Sequence, residues 1–113
     1  MIDESYRRVC AVADVPRGEV VAREVDGTPL ALLHCADGTI HAAYDECSHE
    51  QIALSEGEVD GCTVECWLHG SRFDLRTGEP TGLPATEPIP VYPVEVHGDD
   101  IYVSLVPSNG VHA

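Results

Sequence analysis

The sequence predicts an all-β fold, and three observations lead to that class. Short segments rich in Val, Ile, Leu and Thr recur between turn signals. No stretch repeats the apolar i, i+3, i+4, i+7 pattern over the three turns that an amphipathic helix needs. Only six of the 113 residues are aromatic although 43% are hydrophobic, so the core is expected to consist mainly of Val, Leu, Ile and Ala. This length suits one domain with a single core.

Eight strands are expected, at residues 7–12, 19–25, 29–35, 39–44, 56–60, 62–66, 91–96 and 101–105. Gly and Asp lie between several of them, at positions 26–27, 37–38, 60–61 and 98–99. These residue types tolerate the positive φ of tight hairpin turns, so successive strands should pair antiparallel.

Segment 77–93 contains five of the eight prolines and is therefore predicted to be a long ordered loop, because proline cannot donate to a central strand. We expect residues 1–106 to form one domain and residues 107–113 a flexible tail.

The formal net charge of −14 repels nucleic acid and anionic membranes and favours basic protein partners. The N-terminal residues have neither a basic region nor an apolar stretch, and no apolar run approaches the roughly 18 residues that span a bilayer. We therefore expect a cytoplasmic, unanchored protein, and a monomer.

Two short motifs carry the chemistry: C-S-H at 47–49 and, after sixteen intervening residues, C-W-L-H at 66–69. Each offers one thiolate and one imidazole, follows a predicted strand and precedes loop residues, so two hairpin tips would face each other across one metal site. Chance placement rarely gives such paired units. Zinc is the alternative metal, because it accepts mixed Cys and His ligands, but structural zinc usually uses a C-x2-C knuckle.

The other cysteines and histidines receive ordinary interpretations. Five cysteines is an odd number, and a disulfide framework is improbable in a reducing compartment. Cys10, Cys35 and Cys62 lie in strand-like stretches and are predicted to be small buried hydrophobes. Four histidines are predicted to be ordinary surface or strand residues: His34, His41, His97 and His112.

The spacing C-x-H followed by C-x-x-H is the Rieske signature, in which two histidines replace two cysteines on one iron. The chain resembles the small Rieske ferredoxins of bacterial aromatic-ring dioxygenase systems, of the phenylpropionate, biphenyl and naphthalene types. The similarity covers nearly the whole chain and includes residues 53–57, 70–74, 76–78, 82–85, 91–94 and 98–101.

This resemblance implies one 2Fe-2S cluster, with Cys47 and Cys66 on one iron and His49 and His69 on the other. It also implies the Rieske fold, an antiparallel β-sandwich base with a smaller cluster-binding portion at about 44–74 that carries the two ligand loops. The loop at 82–85 is expected to close over the cluster, as it does in the family.

The implied function is one-electron transfer from an NAD(P)H-dependent flavoprotein reductase to a terminal non-haem iron oxygenase, without an enzymatic activity of the chain itself. Two alternatives stay open: a nitrite-reductase small-subunit-like accessory protein, and a carrier linked to iron-sulfur assembly. A Rieske oxygenase subunit would need a further non-haem iron domain, for which 113 residues leave no room.

The resemblance also predicts a reduction potential in the lower half of the Rieske range of about −150 to +300 mV. Ile52 and Leu68 stand where high-potential members carry a disulfide, and Phe73 stands where they carry a tyrosine, whereas Ser71 retains their serine.

Acidic residues flank the ligand motifs: Asp45, Glu46, Glu50 and Glu65. They are interpreted either as a solvated surface or as charges that steer a basic partner. Trp67, between two predicted ligands, would cover the cluster, present an aromatic face to a partner, or do both.

Overall fold

The computed structural model describes residues 5–46, 52–66, 70–81 and 87–111. Its ten strands are β1 (Tyr6–Ala11), β2 (Val20–Val25), β3 (Thr28–His34), β4 (Ile40–Tyr44), β5 (Glu58–Asp60), β6 (Thr63–Glu65), β7 (Arg72–Asp74), β8 (Val91–Tyr92), β9 (Val94–His97) and β10 (Asp100–Ser104). Within these ranges the only helices are two 3-10 turns, Val12–Asp14 and Leu54–Glu56.

The strands form three antiparallel sheets, which confirms the predicted all-β class. A four-stranded sheet has the order β2-β3-β4-β8, and a three-stranded sheet has the order β1-β10-β9. These two sheets form the base. A smaller sheet of β5, β6 and β7 carries the chain toward the predicted ligand loops.

Strand β3 explains how the three sheets stack. Leu30 and Leu32 are fully buried in the core shared with β1 and β10, whereas Ala31 and Leu33 are buried in the core shared with the small sheet. Successive strand side chains point to opposite faces, so both faces of the four-stranded sheet are covered. A strand buried on both faces reads as a continuous apolar run, as β3 does.

Hairpin turns form at the predicted Asp-Gly pairs. Asp26 and Gly27 have φ values of 49° and 82° between Val25 and Thr28, which are paired in the β2–β3 ladder. Two consecutive positive φ angles define the turn that matches strand twist in a two-residue hairpin. Gly61, with φ of 63°, likewise turns the chain between β5 and β6.

Two strand predictions are corrected. The single strand predicted at 91–96 is divided at Pro93, with β8 pairing with β4 and β9 pairing with β10. The chain therefore changes sheets at a residue that has no N–H to donate. Strand β7, which pairs with β6, was not predicted because three residues are too few to show an alternating pattern.

The segment after residue 106 is attached to the Pro-rich loop. The side-chain amide of Asn109 donates to the carbonyls of Thr77 and Ile89, both at 2.9 Å, and the Ser108 N–H donates to the carbonyl of Val91 at 2.8 Å. These bonds to distant carbonyls cannot be read from local composition, and the flexibility of residues 107–113 stays a prediction. The predicted covering loop at 82–85 lies outside the described residues.

Candidate metal centre

Cys66 follows β6 and is the one predicted ligand among the described residues. Its thiol is unbridged and its exposure is 1%. The Cys66 N–H donates to the carbonyl of Ser71 at 2.6 Å, and the Gly70 N–H donates to the carbonyl of Cys66 at 3.0 Å. These bonds join residue 66 to residues 70 and 71. Cys47, His49, Trp67 and His69 lie outside the described residues, so the four predicted ligands stay a prediction.

The segment with the other two predicted ligands is tied together at its ends by Asp45 and Ser55. One carboxylate oxygen of Asp45 accepts the Ser55 N–H at 2.7 Å, and the other accepts the Ser55 hydroxyl at 2.6 Å. The Asp45 N–H donates to the carbonyl of Pro29 at 3.1 Å, which anchors this pair to β3. The entry and exit of the loop are thus held by charge-assisted hydrogen bonds.

The acidic flank of the site is less exposed than the sequence interpretation assumed. Asp45 is 9% exposed, and both of its carboxylate oxygens accept hydrogen bonds from Ser55. It is therefore a buried structural group and not a solvated charge. The Glu65 carboxylate lies 3.5 Å from the Arg72 guanidinium, which also approaches Asp60 at 3.5 Å. Glu46 is half-buried, and Glu50 lies outside the described residues.

The surroundings of Cys66 suit a cluster with two thiolate and two imidazole ligands. Leu54 and Phe73 are fully buried in the same core as the thiol, and Ile52 packs against that core. The charges of two ferric ions, two sulfides and two thiolates sum to zero. Burying an oxidised cluster beside apolar side chains therefore costs little desolvation free energy. The residues present therefore fit the group.

A second cysteine cluster was missed by the sequence interpretation. Cys35 and Cys62 form a disulfide with a Cα–Cα distance of 5.0 Å, and their sulfurs and one ring nitrogen of His41 lie within 4.8 Å of one another. The two cysteines are 27 positions apart on hairpins of different sheets, so only the tertiary fold brings them together.

Three other cysteine and histidine residues among the described ones fit their predictions: Cys10, His34 and His97. Cys10 is unbridged and 5% exposed, and burial raises the pKa of its thiol. A ring nitrogen of His34 bonds the Val15 carbonyl at 2.8 Å, and His97 is exposed on β9. His112 lies outside the described residues.

The comparison with protein families gives the class of this all-β protein with a buried, unbridged thiol at Cys66. The model of the Rieske [2Fe-2S] domain matches residues 5–93. The chain belongs to this family, which confirms the resemblance and shows that the site is an iron-sulfur site.

Individual proteins also resemble this chain over most of its length. The chain is 46% identical over 97 residues to the 3-phenylpropionate/cinnamic acid dioxygenase ferredoxin subunit of Escherichia coli strain K12, covering 85% of this chain and 90% of the relative. It superposes with a TM-score of 0.83 on the ferredoxin of carbazole 1,9a-dioxygenase from Nocardioides aromaticivorans IC177, at 34% identity, covering 88% of this chain and 96% of the other.

A complex of reduced oxygenase and oxidised ferredoxin in carbazole 1,9a-dioxygenase contains a chain that superposes with a TM-score of 0.81 and 36% identity. That alignment covers 90% of this chain and 94% of the other. A nitrite reductase small subunit superposes with a TM-score of 0.77 at 17% identity, a level that shows the shared fold alone. In the part of the chain that the structure describes, no helix is long and apolar enough to cross a membrane.

Proposed function

We propose that this chain is the ferredoxin component of a bacterial aromatic-ring dioxygenase system and carries one electron at a time. The observation that carries the proposal is the buried, unbridged thiol of Cys66, a predicted cluster ligand, within the part of the chain that matches a Rieske domain. The identity with a dioxygenase ferredoxin subunit over most of both chains supports the same role. These relatives are electron-transfer components, in agreement with the expectation that the chain is not itself an enzyme.

The proposed ligands are Cys47 and Cys66 on one iron and His49 and His69 on the other, for one cluster per chain. When bound, such a cluster supplies a reversible one-electron change between a neutral and a singly negative centre. The proposed domain spans residues 1–106, with the cluster-binding portion at about 44–74.

The chain's own residues position and shield this site. The hydrogen bonds between Asp45 and Ser55 fix one loop at its base, and the Cys66–Ser71 bond fixes the other. Leu54 and Phe73 exclude water from the thiol side. Because Phe73 has no hydroxyl to donate to a cluster sulfur, we propose a potential in the lower half of the range of about −150 to +300 mV.

The proposed partners are a flavoprotein reductase that donates the electron and a terminal oxygenase that receives it. The solved complex of an oxygenase with a ferredoxin similar to this chain supports the second partner. We also propose a cytoplasmic monomer. The nitrite-reductase alternative gains no functional support from a likeness at 17% identity.

Iron and acid-labile sulfide analysis of the purified protein tests the proposal. We expect about two iron and two sulfide per chain and the electron paramagnetic resonance of a Rieske centre after reduction. Cys66→Ser should lose the cluster, whereas Cys10→Ser, which removes another buried thiol, should keep it. One zinc per chain with no sulfide would refute the proposal.

A further inference from the structure

Two hairpin tips from different sheets meet beside His41. Cys35 lies in the turn between β3 and β4 and is fully buried, whereas Cys62 lies in the turn between β5 and β6 and is half-buried. His41 on β4 is also half-buried, and one of its ring nitrogens lies within 4.8 Å of both sulfurs. Three side chains with metal-ligand chemistry therefore converge on one point with access to solvent.

We propose that Cys35, His41 and Cys62, after reduction of the disulfide, form a second metal site that binds one thiophilic divalent cation, with zinc as the best fit. Zn–S and Zn–N bonds of about 2.3 and 2.0–2.1 Å at tetrahedral angles put two sulfurs about 3.8 Å apart and sulfur and nitrogen about 3.5 Å apart. The three ligand atoms lie within 4.8 Å of one another, so after reduction the two sulfurs need to separate by only a small distance to reach this geometry. Three protein ligands leave the fourth zinc position for water.

The hydrogen bonds of His41 prepare it as a ligand. Its Nε2 lies 3.0 Å from the hydroxyl oxygen of Thr39, and that hydroxyl donates to the carboxylate of Asp37 at 2.6 Å. Because the Thr39 proton is committed to Asp37, the hydroxyl oxygen accepts from Nε2–H, and the lone pair of the neutral ring is then on Nδ1. Metal-binding histidines commonly donate their second nitrogen in this way to a group that fixes the ring.

The charge around the site favours a bound dication. Asp37 and Asp74 both act electrostatically on this ring and favour positive charge there, while Arg76 opposes it. The Arg76 guanidinium is held by two hydrogen bonds, of 3.0 and 2.8 Å, to the Asp74 carboxylate, which compensates its charge. Two thiolates then neutralise the cation.

The steps balance with a dithiol as the reductant. One dithiol transfers two electrons and two protons to the Cys35–Cys62 bond, giving two thiols while the reductant becomes a disulfide. Zinc then replaces the two thiol protons, which are released to solvent. The two cysteines are thus linked in both redox states: by a disulfide bond in the oxidised state and through the bound zinc in the reduced state.

The test uses the purified protein with its cluster in place. It is reduced anaerobically with dithiothreitol, freed of the reductant by gel filtration, and titrated with zinc chloride against a chromophoric chelator. We expect one zinc per chain in the reduced protein, none in the disulfide form, and an unchanged visible spectrum of the cluster. Cys10→Ser, which removes a thiol outside the site, should bind zinc as the wild type does.

Two variants separate this site from the disulfide and from zinc bound elsewhere. Cys62→Ser should lose zinc binding, and His41→Gln should weaken it at least tenfold while alkylation with iodoacetamide shows that its disulfide still forms. The His41 variant also keeps the test decisive if Cys62→Ser fails to fold. Zinc binding that is absent from the reduced wild type, or equal in His41→Gln and wild type, would overturn the proposal.

Discussion

At the scale of single residues, Asp74 shows how one carboxylate organises a turn next to the small sheet. Its two oxygens accept the Arg76 N–H at 2.9 Å and two guanidinium hydrogen bonds, of 3.0 and 2.8 Å, from the same residue. Its side chain is only 16% exposed. The hydrogen bonds from Arg76 lower the pKa of the Asp74 carboxyl, so folding favours its charged form.

We expect Asp74→Asn to lower stability at pH 7 by about 1 kcal/mol, or about 4 to 8 °C in Tm for a domain of this size. Because the pKa is lower in the folded state than the usual 3.8, this stabilisation is present above pH 3.8 and is lost as the pH falls through the folded pKa. Thermal unfolding followed by far-UV circular dichroism from pH 7 to pH 3 should therefore show the wild type and variant converging in acid.

Asp26→Asn is the matched control for this measurement. The Asp26 side chain is 63% exposed and makes one ion pair of 3.5 Å with Arg7, so its loss should change stability by less than about 0.5 kcal/mol. A deficit of Asp74→Asn that stays constant from pH 7 to pH 3 would contradict the assigned role of the charge.

Among individual residues, the sequence predicted the ligand set through a local pattern but could not predict the groups around it. Asp45 reads as a surface charge because acidic side chains are usually exposed, yet its 9% exposure follows from a partner ten residues away. His41 reads as an ordinary strand residue, since Cys35 and Cys62 reach it only when two hairpins meet. Such contacts depend on the assembled sheets and leave no trace in local spacing.

At the scale of elements, the hairpin of β5 and β6 depends on a glycine that stands directly before it. A Cβ built on Gly57 would collide with the backbone carbonyl of Glu65 and lie 3.2 Å from the carbonyl of Leu54. The φ of Gly57 is −87°, so the requirement is for space and not for an unusual backbone conformation. Glu65 precedes Cys66, so this close approach sets the path of β6 into the ligand turn.

We expect Gly57→Ala to shift β6 and destabilise the domain by about 1–3 kcal/mol, the usual cost of overpacking. Cluster loss on mild heating, followed by visible absorbance, should be several-fold faster than in the wild type. Gly61→Asn tests the specificity of the effect, because open space surrounds Gly61 and asparagine tolerates its φ of 63°. Equal cluster lifetimes in Gly57→Ala and wild type would argue against this constraint.

Elements were predicted best where they are long and bounded by turn residues. β2, β3 and β4 differ from their predicted spans by one residue at most, because Asp26-Gly27 and Asp37-Gly38 mark their ends. In the small sheet, β5 and β6 lie within their predicted spans of 56–60 and 62–66, whereas β7 was not predicted. β7 has only three residues, too few to show an alternating pattern, and its pairing with β6 is not visible in the sequence.

At the scale of the whole molecule, charge is the dominant feature after the fold. The chain has twenty acidic residues and only six arginines. At least four of these arginines form ion pairs with carboxylates: Arg7, Arg8, Arg72 and Arg76. These ion pairs neutralise most of the basic groups, so the protein keeps a large excess of negative charge. A field of this kind accelerates encounter with a partner whose docking surface is basic.

Reduction by the proposed flavoprotein reductase should slow as ionic strength rises, since salt screens exposed charges beyond about 8 to 10 Å. Stopped-flow rates from 20 to 500 mM salt would measure this slope. Glu46→Gln, next to a proposed ligand, should reduce the rate at low salt, whereas Glu95→Gln on β9 should change it little. Rates indifferent to salt would assign the acidic surface to solubility alone.

The pairing of β1 with β10 has a consequence for protein synthesis. Tyr6 lies opposite Ser104 and Ala11 opposite Asp100, and β10 also pairs with β9 on its other side. During translation, β1 leaves the ribosome with no strand to pair with until residues 100–104 have been made. The β2–β3 and β3–β4 hairpins can form much earlier, since their contacts are local. Strand β1 must therefore remain without its partner until residues 100–104 have been synthesised, long after the β2–β3 and β3–β4 hairpins can form.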